Sequence, residues 1–187
     1  MCTLFRVETR FVNFDVEQFI SEAKLKKHCY IRTNKKLISD ENMLDIFKPV
    51  DALWRIVTAY RAPGRQVGVH IRRTDNVKAI ELSPNSLFIE KMNEEKAKDE
   101  NVKFFVATDD KSVFDEIKQI FGDAVLEHKK QTYSRDNPQA IKDALIDLYA
   151  LSECDKLIGS YWSSFTDIAW ELRNIDHVIA IKETASN

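Results

Sequence analysis

Two adjacent arginines, Arg72 and Arg73, follow a short apolar run at 67–71 that has the composition of a buried strand. A guanidinium group is planar, permanently charged and forked, so it matches the oxygens of a phosphate. Because neighbouring side chains of an extended chain point to opposite sides, only one arginine should face a ligand, while the other pairs with Asp75 or another carboxylate. We expect Arg72 to contact phosphate and Arg73 to be the structural partner.

Two carboxylates, Asp109 and Asp110, follow a second apolar run at 102–108. One of them could accept a hydrogen bond from a ribose hydroxyl or from a nucleobase N–H. Alternatively, either residue only caps the helix that begins there. Two neighbouring carboxylates need further oxygen ligands to hold a metal, and none is identifiable, so no metal site is expected.

Ser163 and Ser164 lie at the start of a helix that follows an apolar run at 156–159. Free backbone N–H groups and the positive end of the helix dipole attract phosphate at such a position, although a serine there is also a common helix cap. His70, inside the first strand, either contributes to the same site or is a hydrogen-bonded core histidine. Asp75 either joins the site or only neutralises an arginine.

The remaining pattern predicts a scaffold that brings these residues together. Short apolar strands alternate with amphipathic helices, which is typical of an α/β fold with a Rossmann-like parallel sheet and helices on both faces. Ligands of such sheets bind beyond the carboxyl ends of the strands. The predicted strands lie at 67–71, 102–108, 124–126, 156–159 and 177–181, and the predicted helices at 85–98, between Asp110 and Gly122, at 140–154 and near 162–172. The third of these helices is expected to bury one stripe, formed by Ile141, Ala144, Leu145, Leu148 and Leu151.

The first 64 residues lack the regular alternation of strands and helices that is predicted for the rest of the chain. Strands are predicted at 4–12 and 29–33, and helices at 16–26 and 51–60. The turn signal RAPG at 61–64 marks an organisational boundary. We therefore expect a small N-terminal α/β region at 1–64, as a reduced acceptor-side remnant or appendage, and a ligand-binding domain at 65–187.

Composition excludes several classes of protein. Hydrophobic residues make up 44% and charged residues 31% of the 187 residues, which suits a folded domain. The net charge of -2 gives no electrostatic case for a nucleic-acid partner, and no run approaches the roughly 20 apolar residues of a membrane span. Three widely spaced cysteines make a disulfide framework improbable, so a cytoplasmic location is expected.

The common phosphate and nucleophile signatures are absent. The sequence holds no GxGxxG, no GxxxxGK[ST] and no GxSxG, and it has only four glycines. Phosphate binding must therefore rest on arginine and on a helix terminus.

Three segments resemble the donor-binding half of the fucosyltransferase superfamily that includes the α1,6-fucosyltransferases and the rhizobial nodulation fucosyltransferase. They are VGVHIRRTDN, FFVATDD and ALIDLYALSECDKLIGSYWSSFTDIAWEL, and they occur in order over about 65–172. The resemblance implies a GT-B fold, GDP-fucose or a similar nucleotide sugar as donor, and an inverting transfer to a glycan acceptor that the sequence does not identify. It also implies that the reaction needs neither a metal nor a cofactor.

The same resemblance implies roles for individual residues. Arg72 would contact the diphosphate and stabilise the departing GDP, with Arg73 in support. His70 and Asp147 would lie near the nucleoside. The candidate donor-binding residues also include Asp75, Asn76, Asp109, Asp110, Ser163 and Ser164.

The chain departs from the family pattern in four respects, one of which is a gap before Ser163 and Ser164 that differs by about one residue from the α1,6 pattern. Asn76 stands where the α1,6 enzymes carry a lysine, and the carboxylate proposed as a base in that group has only a doubtful counterpart, Glu81. In addition, 64 residues are too few for a full acceptor domain. The chain could thus be a truncated relative, a fragment, or a minimal enzyme that borrows its acceptor site from another subunit of a homo-oligomer.

Two other functions stay open at this point. One is a non-catalytic module that binds a nucleotide or nucleotide sugar. The other is a structural α/β subunit whose arginines only form salt bridges.

Overall fold

The computed structural model describes residue 44 and residues 47–75, 77–130 and 137–182. These residues belong to one compact unit that begins at Leu44. The strands predicted at 4–12 and 29–33, the helix predicted at 16–26 and the candidate site residue Asn76 lie outside the described residues. The boundary at residue 64 stays a prediction.

Strands and helices alternate along the described chain. The strands are β1 (Gln66–Ile71), β2 (Lys103–Thr108), β3 (Val125–Leu126), β4 (Lys156–Ser160) and β5 (Asp176–Ala180). The helices are α1 (Asp51–Ala59), α2 (Val77–Leu82), α3 (Asn85–Lys98), α4 (Lys111–Phe121), α5 (Pro138–Ser152) and α6 (Ser164–Glu171). The predicted strands are confirmed to within about one residue at most ends, whereas the short helix α2 was not predicted.

The described strands form one sheet in the order β3-β2-β1-β4-β5, and every neighbouring pair is parallel. The α/β fold with a parallel sheet is therefore confirmed. The chain leaves β1 towards β2 on one side and later returns to β4 on the other side. The strand order thus reverses between β1 and β4, which opens a crevice at their carboxyl ends.

Apolar side chains pack on both faces of this sheet. One face carries Val67, Val69, Phe104 and Val106 against α3 and α4, and the other carries Phe105, Ala107 and Leu157 against α1, α5 and α6. Alternation along β1 and β2 thus supplies two cores, as expected for strands buried on both sides.

Close packing at the end of β4 explains one of the glycines. A Cβ atom on Gly159 would lie 2.1 Å from Cγ2 of Thr166, so this position has no room for a side chain. Helix α6 can therefore approach β4 closely, which brings its first turn to the carboxyl edge of the sheet.

None of the described helices combines the length and the apolar character that a membrane crossing requires.

Candidate functional site

The carboxyl ends of β1, β2 and β4 lie side by side in register. His70 is level with Ala107 of β2 and with Gly159 of β4. The side chain of Ser160 ties two of these ends together, because its Oγ accepts from the backbone N–H of Arg72 at 2.9 Å and donates to the carbonyl of His70 at 3.1 Å. The residues that follow the three strands are therefore neighbours in space.

Arg72 and Arg73 point to opposite sides of the sheet, as strand alternation predicts. Arg72 lines a cleft at the carboxyl edge. The guanidinium of Arg73 donates to the carbonyls of Arg72 and Ser83 and to the Asn85 side chain, and it lies 5.6 Å from the centre of the Phe88 ring. Arg73 therefore anchors the loop after β1 to the start of α3.

The carboxylates that were expected to pair with Arg73 pair with Arg72 instead. Arg72, not Arg73, forms ion pairs with Asp75 and with Asp109, the second at 3.1 Å between Nη1 and Oδ2. The prediction that the structural arginine would take the carboxylates is wrong, because Asp75 follows Arg72 by three residues and the loop turns it to the same side. Arg72 is thus held in place, and its side chain is 22% exposed.

Asp109 and Asp110 have separate roles. Asp109 accepts from the backbone N–H of Arg73 at 2.7 Å and from Oγ1 of Thr74 at 2.8 Å, so it fixes the loop that carries Arg72. Asp110 is the N-cap of α4 and accepts from the backbone N–H of Ser112 at 2.8 Å. A second hydrogen bond, from the Ser112 hydroxyl, is the main reason that the pKa of Asp110 lies below its ordinary value. The helix-cap alternative is correct for Asp110.

His70 is both a core residue and part of the cleft wall. Its Nδ1 lies 2.7 Å from Oγ1 of Thr166, and its ring is 4.7 Å from the ring of Phe165. Burial lowers the pKa of His70 to about 4, despite the opposing charge of Asp109. At neutral pH it is therefore an uncharged hydrogen-bonding group and not a cation for phosphate.

The pKa of His70 predicts how stability changes with pH. The unfolded chain binds a proton on this residue near pH 6.5, whereas the folded protein does so only near pH 4, so acid favours unfolding in that interval. We expect protonation of His70 in the unfolded chain to lower the unfolding free energy by about 2 kcal/mol between pH 6.5 and pH 5. Urea titrations of wild type and His70→Asn over this range measure it. His70→Asn should lose this dependence of the unfolding free energy on pH. His177→Asn, which replaces an exposed histidine, should keep it. Equal pH dependence in all three proteins would contradict the assignment to His70.

The cleft itself has a volume of about 100 Å³ and is partly open to solvent. This is below the roughly 300–1,000 Å³ of typical small-molecule sites, so a larger ligand would extend beyond the cleft. Its lining residues are His70, Arg72, Ala107, Thr108, Asp109, Lys130, Ala140, Asp143, Ala144, Asp147 and Phe165. Four predicted site residues thus meet there, namely His70, Arg72, Asp109 and Asp147, whereas Arg73, Asp75, Asp110, Ser163 and Ser164 are not part of the lining.

A buried charged network forms another part of the cleft wall. The carboxylate of Asp147 contacts Nδ1 of His128 at 2.8 Å and Nζ of Lys130 at 2.6 Å. The ammonium of Lys130 also donates to the carbonyl of Thr108 at 2.6 Å, which links the network to the end of β2. Asp143, one turn before Asp147, accepts from the side chain of Gln139 at 2.8 Å.

Sequence reasoning missed three members of this network, His128, Lys130 and Asp143. One signal was available, because Asp143 and Asp147 are four residues apart and therefore share a helix face. No local pattern marked His128 and Lys130, which reach α5 from the connection after β3.

The two serines at the start of α6 differ in exposure. Ser163 is the N-cap residue and is buried, but its side chain makes no capping hydrogen bond, and Ser164 is exposed. Trp162, just before them, has a backbone φ of 54° and is 59% exposed. The predicted contact of these serines with a diphosphate stays a prediction.

No group of three or more His, Cys, Asp or Glu side chains is placed to hold a metal ion in the part of the chain that the structure describes.

Several solved structures are similar to this chain. NodZ α-1,6-fucosyltransferase co-crystallised with GDP is 28% identical, with 63% of this chain and 39% of that chain covered and a TM-score of 0.46. The fucosyltransferase NodZ from Bradyrhizobium is 25% identical, with coverages of 64% and 41% and a TM-score of 0.44. POFUT1 in complex with GDP is 15% identical, with coverages of 69% and 45% and a TM-score of 0.48.

The matched region thus spans less than half of each of these chains. With TM-scores below 0.5, these similarities assign no ligand or activity to this protein. No curated protein matches the chain significantly.

A family comparison also covers most of the sequence. The family model described as alpha-(1,6)-fucosyltransferase N- and catalytic domains matches residues 57–186, which include every described strand and the whole cleft lining. The chain therefore belongs to the α-(1,6)-fucosyltransferase family.

Proposed function

We propose that the cleft binds GDP-fucose or a related nucleotide sugar, and that this unit is the donor-binding part of a fucosyltransferase. In this proposal the architecture is GT-B, and transfer inverts the sugar and needs no metal. The observation that carries it is the placement of Arg72, a fixed guanidinium at the crevice between β1 and β4 that faces a cleft in a member of this family.

Arg72 is suited to the diphosphate end of such a ligand. Its planar fork can donate two parallel hydrogen bonds to phosphate oxygens, and Asp109 holds it in position before the ligand arrives. When the bond between sugar and diphosphate breaks, negative charge develops on GDP. A fixed guanidinium can stabilise that charge without further rearrangement.

Asp75 is the group that phosphate would displace. Its side chain is 51% exposed and it follows Arg72 in the same loop, so it can turn into solvent at little cost. Asp109 is held by backbone and side-chain donors and would stay. Exchange of one exposed carboxylate for a phosphate keeps the guanidinium paired throughout.

The other end of the cleft is suited to a nucleoside. Ala140 and Ala144 on α5 and Ala107 at the end of β2 are small and leave space for a planar base. Asp147 and Lys130 offer an acceptor and a donor beside that space, and His70 is an uncharged polar neighbour. The cleft therefore combines a guanidinium group with a mixed polar wall, as a nucleoside diphosphate requires.

Binding without transfer is the second candidate function. A general base must take a proton from the acceptor hydroxyl. The carboxylates that line the cleft, Asp109, Asp143 and Asp147, already accept hydrogen bonds from protein groups, and Glu81 is exposed on α2 outside the lining. This arrangement favours donor binding more strongly than it favours catalysis.

Calorimetric titration of the chain with GDP and GDP-fucose tests the proposal. We expect dissociation constants in the micromolar range, and weaker binding of UDP, whose base is smaller. No binding of GDP at about 1 mM, which corresponds to about −4 kcal/mol, would overturn it. Release of GDP from GDP-fucose in the presence of any sugar acceptor would exclude the binding-only alternative.

A further inference from the structure

Trp162 combines two unfavourable features in one residue. Its φ of 54° lies in the left-handed region, which is strained for a bulky side chain, and it is 59% exposed despite its large apolar ring. The backbone is fixed on both sides, because the N–H of Tyr161 donates to Oγ of Ser83 at 2.9 Å and Ser163 is buried. Residues held in such strained backbone conformations cluster at active sites and ligand-binding positions.

The ring lies beside the proposed donor site and not inside it. Trp162 follows Ser160, which hydrogen-bonds to Arg72, but it is not part of the cleft lining. The ammonium of Lys78, on α2, lies 3.8 Å from the centre of the indole ring, so the ring connects the loop after β4 to the helix after Arg72 and Asp75. A second substrate that reacts with the donor must approach along this same edge of the sheet.

We infer that Trp162 and Lys78 form a stacking surface for a pyranose ring of the acceptor glycan. Lys78 is exposed, so its ammonium can leave the indole face for the ring edge. The apolar C–H face of a sugar then packs on the indole, and the sugar hydroxyls accept hydrogen bonds from the displaced ammonium. A peptide rich in lysine or arginine fits less well, because Lys78 and Arg72 would repel it. The inference rests on the proposed function and identifies the residues that would hold the acceptor.

The test uses the full chain, saturated with GDP, on immobilised neutral oligosaccharides of glucose, galactose, mannose and N-acetylhexosamines. Wild type should be retained by at least one glycan. Trp162→Ala should reduce that retention about tenfold or more, with GDP affinity within about twofold of wild type. Trp54→Ala is the matched control, because Trp54, on α1, also has a cation over its indole ring, namely Arg173 at 5.7 Å. This variant should keep glycan binding.

A second measurement separates a ligand role from a structural one. Glycine accepts positive φ without strain, so Trp162→Gly should not lower Tm by more than about 2 °C. A larger fall would indicate that the ring stabilises the fold, and would contradict the inference. GDP binding without glycan retention by wild type, or equal retention of Trp162→Ala, would overturn the inference alone. Failure of wild type to bind GDP would overturn the proposed function and the inference with it.

Discussion

Replacing Arg72 with alanine is expected to weaken GDP binding about 100-fold. Charge-assisted hydrogen bonds from a guanidinium to phosphate contribute about 3 kcal/mol when two are made together, which corresponds to this loss. The substitution also leaves Asp75 and Asp109 without their cation beside an anionic ligand. Alanine therefore removes an attraction and exposes a repulsion at the same point.

Two further variants separate these effects. Arg72→Lys keeps the charge but loses the fork, so we expect a loss of only about tenfold. Asp75→Ala removes the carboxylate that competes with phosphate and should tighten GDP binding a few-fold. Calorimetric titration gives the dissociation constants, and thermal unfolding checks that each variant is folded.

The matched control is Arg61→Ala. Arg61 also forms a carboxylate ion pair, with Asp155 at 2.8 Å, but it lies before β1, at the opposite end of that strand from the cleft. Its replacement should change GDP affinity by less than about twofold, because exposed pairs contribute little and lie outside the site. Equal GDP affinities of Arg72→Ala and wild type would remove Arg72 from the site, and an equal loss in Arg61→Ala would show a nonspecific effect of charge.

That Arg72 and Arg73 point to opposite sides of the sheet could be predicted from the sequence, because strand alternation is a local rule. Residues 67, 69 and 71 face one core of the sheet and residue 70 faces the other, and the two arginines continue this alternation. The strands β1, β2 and β4 were predictable for a related reason, since each is a short apolar run buried on both faces.

The buried face of α5 could not be predicted in this way. Leu151 of the predicted apolar stripe is buried and Leu148 packs against the core, but Ile141 and Leu145 are 61% and 41% exposed. The buried residues of the helix also include Asp143, Ile146 and Asp147. Helical periodicity identifies the apolar face, but here part of the buried face borders a polar cleft. The partners that make the buried carboxylate of Asp147 tolerable come from residues 128 and 130, and such long-range pairs leave no trace in local spacing.

Asp147→Ala is expected to destabilise the fold by about 3–4 kcal/mol. Both oxygens of this buried carboxylate are engaged, one by His128 and the other by Lys130. Removal of the carboxylate leaves two buried polar groups without their charged partner, which costs far more than the loss of an exposed ion pair. Urea unfolding at neutral pH measures the change in unfolding free energy.

Asp143→Ala is the matched control for this substitution, because Asp143 lies on the same helix face and is equally buried. Its contact with Nε2 of His128 is long, 3.9 Å, so we expect a loss of only about 1–2 kcal/mol. Lys130→Met in the Asp147→Ala background should restore about 1 kcal/mol or more, since it removes a largely buried cation whose partner Asp147 has been deleted. If Asp147→Ala cost no more than Asp143→Ala, or if Lys130→Met made the double variant worse, the network would not stabilise the cleft as described. The charges beside the proposed nucleoside would then be held by some other part of the protein.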